Sequence, residues 1–171
     1  SSGLVGSEMC IRDSGKTEGH IDQSLFARTI LDEKNGPPPE VNLFNEKNNG
    51  ESILNLIDKG YVKSAHDISL GGLLVAISKM CIKGNKGIKI SKPKSLINEI
   101  EYFFAEDQGR YLIEINKEDL KEVTKILDKN SVHHEEFGII SKNDMIINEK
   151  TKLTIDELKS YYTNWLTKYM S

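Results

Sequence analysis

The sequence predicts an α+β domain, an α/β sandwich in which one mixed sheet carries helices packed mainly on one face. Three observations predict it. Apolar residues alternate along the chain between helical spacing and short strand-like runs. A short strand at 61–65 runs through a polar turn and a double glycine, Gly71-Gly72, into a strongly apolar helix. Near the end, two strand-like runs at 132–140 and 145–147 are joined by the turn Lys142-Asn143-Asp144. With 171 residues, 37% hydrophobic and 29% charged, the chain can bury one real core.

Composition excludes several classes. The net charge is −3 with both signs interspersed, so there is no basic patch for nucleic acid. No apolar run reaches membrane-spanning length. Cys10 and Cys81 are far apart and outside any metal or redox spacing, which fits a reducing, cytoplasmic setting. Neither a GxxxxGK[ST] phosphate loop nor a GxGxxG element occurs.

Taken in order, residues 1–15 lack any core-building period. Glu8-Met9-Cys10-Ile11-Arg12-Asp13-Ser14 resembles sequencing-adaptor read-through, so this leader is expected to be non-native or disordered. The domain is expected to span 16–171 and to be a piece of a longer protein. Leu25, Phe26, Thr29 and Ile30 predict a short helix capped at 22–24. Gly36-Pro37-Pro38-Pro39 then forms an extended surface spacer. Asn42 caps a helix over 42–59, stopped by Gly60, with Leu43, Ile53, Leu54, Leu56 and Ile57 expected inward. The helix after Gly71-Gly72 buries Leu73, Leu74, Ile77, Met80 and Cys81, and Gly84 ends it. A strand at 87–90, helical turns over 95–100 and a strong strand at 111–115 follow. Asn116 caps a helix over 117–129. The last helix starts at Thr154, which has capping-box spacing to Glu157. Its face of Ile155, Leu158, Tyr162, Trp165 and Leu166 is expected to pack inward, making Trp165→Ala costly.

Two loops have the make-up of a site. His66-Asp67 leads into the glycine-rich helix start, where unpaired N–H groups and the helix dipole favour an anion. His66 and Asp67 alternate faces on an extended segment, so they make a poor catalytic dyad. The second loop, Glu106-Asp107-Gln108, sets two carboxylates and an amide beside apolar segments, a pattern able to hold Mg²⁺ or polar substrate groups. His133-His134-Glu135-Glu136 alternates faces on a strand and cannot converge on one ion.

Residues 64–73, Ser-Ala-His-Asp-Ile-Ser-Leu-Gly-Gly-Leu, resemble the AHDxSxGGL segment of phosphoribosylformylglycinamidine synthases. Residues 104–111 are similar to that family's FxEdqGRy segment, and Gly19-His20 with residues 23–26 to its GHxGQSLY element. The closing residues 165–170 also look like the family's terminus. The resemblance implies an aminoimidazole ribonucleotide synthase-related C-terminal domain fold. It implies an ATP- and Mg²⁺-dependent enzyme converting formylglycinamide ribonucleotide to its amidine in purine biosynthesis. The implied partners are upstream domains of the same enzyme, a glutaminase supplying ammonia, and the nucleotide substrate. By internal duplication, His20, Asp107, Gln108, Gly71 and Gly72 would line an auxiliary nucleotide site, with Asp67 and Glu106 as Mg²⁺ ligands and no catalytic residue in this part. Leu70 stands where the family has an acidic or small polar residue, and Asp22 where it has a glycine. Two other readings remain open at this point: a non-catalytic nucleotide-binding or regulatory module, and the C-terminal domain of a selenophosphate synthetase, hydrogenase-maturation or thiamine-phosphate kinase type protein.

Overall fold

A computed structural model of the protein describes residues 3–6, 9–93 and 97–170. Among these residues seven strands form one sheet. They are β1 (Met9–Ser14), β2 (Val62–Asp67), β3 (Gly87–Ile90), β4 (Tyr111–Asn116), β5 (His134–Ser141), β6 (Asp144–Ile147) and β7 (Thr151–Thr154). The order is β2-β4-β1-β5-β3-β6-β7. The β3–β6 pair is parallel and the other pairs are antiparallel, as expected for a mixed sheet. Among the described residues there are five α-helices, α1 (Leu43–Asp58), α2 (Gly72–Gly84), α3 (Glu99–Phe104), α4 (Leu120–Lys129) and α5 (Ile155–Met170), besides short turns of other helix at Ala27–Leu31 and Lys117–Asp119.

Strand alternation splits the core in two. Leu112 of β4 faces α2, α3 and α5, in a core with Leu73, Ile77, Met80, Tyr102, Phe103 and Ile155. Its neighbours Ile113 and Ile115 face the other way, onto Ile53 and Leu56 of α1 and Val123 and Leu127 of α4. Three helices thus share one face, while α1 and α4 cover the opposite face at the β2–β4–β1 end. α2 is apolar around much of its girth and fully buries Leu73, Ile77 and Cys81, so it is the central helix.

Within the stretch expected to be a non-native or disordered leader, Met9–Ser14 form a strand inside the sheet. Met9–Ser14 pair with β4 on one side and β5 on the other. Backbone N–H and C=O groups can fill a strand slot whatever the side chains, and here the side chains fit poorly. Arg12, Asp13 and Ser14 are all buried. Among the described residues six buried side-chain polar atoms lack a hydrogen bond, and three of them, Arg12 Nε, Asp13 Oδ1 and Ser14 Oγ, lie on this strand. Two more belong to Arg110, which faces β1, and the sixth is Thr17 Oγ1, just beyond the strand.

Two helix faces also differ from expectation. α1 buries Asn49, Ser52, Ile53 and Leu56, whereas Leu43, Leu54 and Ile57 are exposed. α5 buries only its first turns. Tyr162 is 56% and Trp165 61% exposed, because the helix runs past the end of the core. Trp165→Ala is therefore expected to change unfolding free energy by less than about 0.5 kcal/mol in urea titrations of this chain. Its capping box forms as read, with Thr154 N–H donating to Glu157 Oε2 (2.8 Å) and Glu157 N–H to Thr154 Oγ1 (3.2 Å). The turns expected over 95–100 begin outside the described residues; α3 itself starts at Glu99 on a capping box from Asn98. β7 carries too few apolar residues to stand out in sequence.

Candidate functional site

The three motif segments, far apart in the chain, meet around the loop between α3 and β4. Both of that loop's carboxylates act as clamps. Asp107, buried, accepts hydrogen bonds from the backbone N–H groups of Glu18 (3.0 Å) and Gly19 (3.1 Å) on Oδ2 and of His20 (3.0 Å) on Oδ1. Arg110 Nη1 lies 3.6 Å from Asp107 Oδ2, and Nη2 of the same guanidinium donates to Asp13 Oδ2 (2.5 Å). Glu106 Oε1 accepts from the N–H of Leu25 (2.7 Å) and of Gly71 (2.8 Å), and its own N–H donates to His20 O (3.1 Å). The Phe26 and Phe104 rings, 4.8 Å between centroids, close the same junction.

This arrangement redefines the glycine-rich helix start. Gly71 and Gly72 have φ of +86° and +69°, a conformation open to glycine. A Cβ on Gly72 would come within 2.8 Å of the Phe104 and Ala105 backbone. The close approach that these glycines permit is thus made by the protein's own chain. Glu106 also puts a carboxylate on the first turn of α2, where the dipole favours negative charge. The expected anion at this helix is internal. Glu106→Ala leaves two backbone donors without their acceptor and is expected to cost roughly 2 kcal/mol by urea denaturation; a loss below about 0.5 kcal/mol would mean that the junction holds without it.

Beside the junction lies a cleft of about 480 Å³. Of the residues picked out from sequence, it brings together His20, Asp107 and Gln108; Asp67, Glu106, Gly71 and Gly72 are not in its wall. His20 Nε2 donates to Pro37 O (3.1 Å), and Gln23 Nε2 donates to the carbonyls of Lys34 (2.8 Å) and Gly36 (3.1 Å). These bonds fold the proline segment back so that Pro39 becomes part of the rim, and the segment is more than a spacer. The opposite wall is the start of α1, with Asn42, Asn45, Glu46 and Asn49. Sequence reading missed these four. Their i, i+3, i+4, i+7 spacing sets them on one helix face, and that polar stripe was the available signal. Asn49 is fixed by donating to Gly109 O (2.9 Å), which ties α1 to the central loop.

The wall is carboxamide and carboxylate, with Lys16 and His20 as its basic side chains and no serine, threonine or cysteine among the described lining residues. Such a surface can hold hydrogen-bonding groups and offers no hydroxyl or thiol nucleophile. The two carboxylates expected to hold Mg²⁺ do not converge on this cleft. Asp67 is exposed at the end of β2, Glu106 Oε1 is taken by backbone donors, and among the described residues no group of three His, Cys, Asp or Glu could share an ion. Millimolar Mg²⁺ is accordingly expected to leave the melting temperature of this chain unchanged, checked by calorimetry with and without chelator. The His133–Glu136 run stays structural: His134 sits between Arg12 Nη2 at its Nδ1 and Asp128 at its Nε2.

The mixed sheet, the glycine-started central helix and the clamped loop define the class. The chain belongs to the family described as AIR synthase related protein, C-terminal domain, which it matches over residues 2–147. Within that class it is similar to the phosphoribosylformylglycinamidine synthase subunit PurL of Pelagibacter ubique, at 65% identity over 156 residues, covering 91% of this chain and 21% of that protein. The PurL subunit of Bartonella henselae is 37% identical over the same shares. The chain thus spans about a fifth of the length of the curated relatives that it matches. Among solved structures, Thermotoga maritima PurL complexed with FGAR superposes with a TM-score of 0.74 at 19% identity, over 92% of this chain and 29% of that one, a likeness of fold. No helix among the described residues is long and apolar enough to cross a membrane.

Proposed function

We propose that this chain is the C-terminal domain of a phosphoribosylformylglycinamidine synthase, an ATP-dependent carbon–nitrogen ligase of purine biosynthesis in the cytoplasm. The whole enzyme would convert formylglycinamide ribonucleotide to its amidine, with ammonia from a glutaminase partner and with upstream domains doing the chemistry. The observation that carries this reading is 65% identity along 91% of the chain. It is supported by the meeting of all three motif segments at one clamped junction. In this reading Glu106, Asp107, Gly71 and Gly72 build the domain, while His20, Gln108 and the α1 asparagines face a polar nucleotide ligand. Asp67 would serve a cation only with ligands from outside this chain.

The test is turnover. This chain alone is expected to show no ATP consumption with formylglycinamide ribonucleotide and ammonia. The full-length Pelagibacter ubique relative, with this chain in place of its matching segment, is expected to be active. Turnover by the isolated chain, or a folded but inactive full-length replacement, would overturn the assignment. A second reading, a free-standing nucleotide-binding module, is favoured by one fact: the cleft is walled by this chain alone. Submillimolar binding of ATP to the isolated chain in titration calorimetry would select it.

A further inference from the structure

We propose that the outer half of α5 is a docking surface for the rest of a longer synthase polypeptide, through a folded face with an apolar groove that accepts aromatic rings. The proposal rests on the reading above that the chain works within such a polypeptide.

The apolar stripe of α5 is continuous. Ile155 and Leu158 pack into the core beside α2. Tyr162, Trp165 and Tyr169 extend the same face at helical spacing, and at 1.5 Å per residue they carry it roughly 16 Å beyond Leu158. That extension is bare: Tyr162 is 56%, Trp165 61% and Tyr169 80% exposed, with Tyr161 and Met170 exposed beside it. A helix that ended with its core contacts would have no use for this face in water. Tyr, Trp and Met are the side chains enriched at the buried centres of protein interfaces.

A second copy is the weaker occupant. Leu43 and Phe44 on α1, each 77% exposed, form another apolar surface on a helix that packs against the opposite face of the sheet. An isologous dimer covers one self-complementary patch per copy, which leaves the other in water. The curated relatives carry about four fifths of their length outside the part matched here, enough to reach both.

Hydrogen exchange on amides 161–170 tests this in the isolated chain and in the full-length replacement protein described above. Exchange is expected to be fast and independent of concentration in the isolated chain, and slowed roughly tenfold or more in the full-length protein. Trp165→Ser with Tyr169→Ser should remove that protection while leaving the circular dichroism of the isolated chain unchanged. Equal exchange in both proteins would overturn the proposal. So would protection that rises with the concentration of the isolated chain, which assigns the stripe to a second copy. Trp165 is the only tryptophan, so its emission separates these occupants without the larger protein: it should stay at the solvent-exposed wavelength at all concentrations, and a blue shift on concentrating overturns the proposal. Turnover of the full-length protein is read separately. An active protein with an unprotected helix sinks the docking surface and spares the assignment; an inactive protein with a protected helix does the reverse.

Discussion

Asp107→Ala is expected to lower the unfolding free energy by roughly 3 kcal/mol, the effect of leaving several buried donors without an acceptor. Three backbone N–H groups, from Glu18, Gly19 and His20, converge on this one carboxylate. The segment from Glu18 to His20 is held to the loop through these bonds. Asp107→Asn keeps one acceptor oxygen but aims an NH₂ at a donor, so its loss should be intermediate. Urea denaturation gives the ranking, and hydrogen exchange at residues 18–20 shows whether the segment has come loose. His20 forms part of the cleft wall through this segment, so ligand affinity should fall with it. Loss of less than about 0.5 kcal/mol in the alanine variant would show that the segment holds without the clamp.

Arg110→Met is expected to cost about 3–5 kcal/mol, because it strips the counter-ion from a buried carboxylate. Asp13 is 1% exposed and its Oδ2 receives the guanidinium. Even with Arg110 present, burial pushes the Asp13 carboxyl up to about 6, desolvation outweighing the attraction of the cation. The pair is therefore ill matched to its place, and replacing both members should recover most of the loss. Asp13→Leu with Arg110→Met is expected to lie within about 1 kcal/mol of the natural pair, or above it. The pH dependence separates the cases. A folded-state pKa above the unfolded value of about 4 gives a contribution that is complete below pH ~4 and lost as pH rises through about 6. Melting temperature measured between these limits should show that fall in the natural chain, a steeper one in Arg110→Met, and none attributable to this position in the double variant. A double variant as unstable as Arg110→Met would sink the account.

The sequence alone determined the class of fold. Helical and strand periods alternate clearly in 72–84, 111–116 and 120–129, since each segment faces its core directly and its apolar spacing records that contact. The double glycine and the acidic loop were legible as the centre of the molecule for the same local reason: a positive φ or a tight turn restricts which residues can stand there. What each residue does was decided by tertiary structure. Glu106, Asp107, Gly71 and Gly72 have the composition of a ligand site, and a carboxylate has the same sequence signature whether it meets an ion or a backbone N–H from 80 residues away. The α1 stripe became a cleft wall through a fold of the proline segment that rests on His20 and Gln23. β1 escaped notice because pairing with β4 and β5 uses main-chain groups, and its side chains carry no apolar pattern. α5 misled in the opposite sense. An amphipathic period shows that a helix has an apolar face, whereas how far the core extends beneath it is set by the other elements, which stop short of Tyr162 and Trp165.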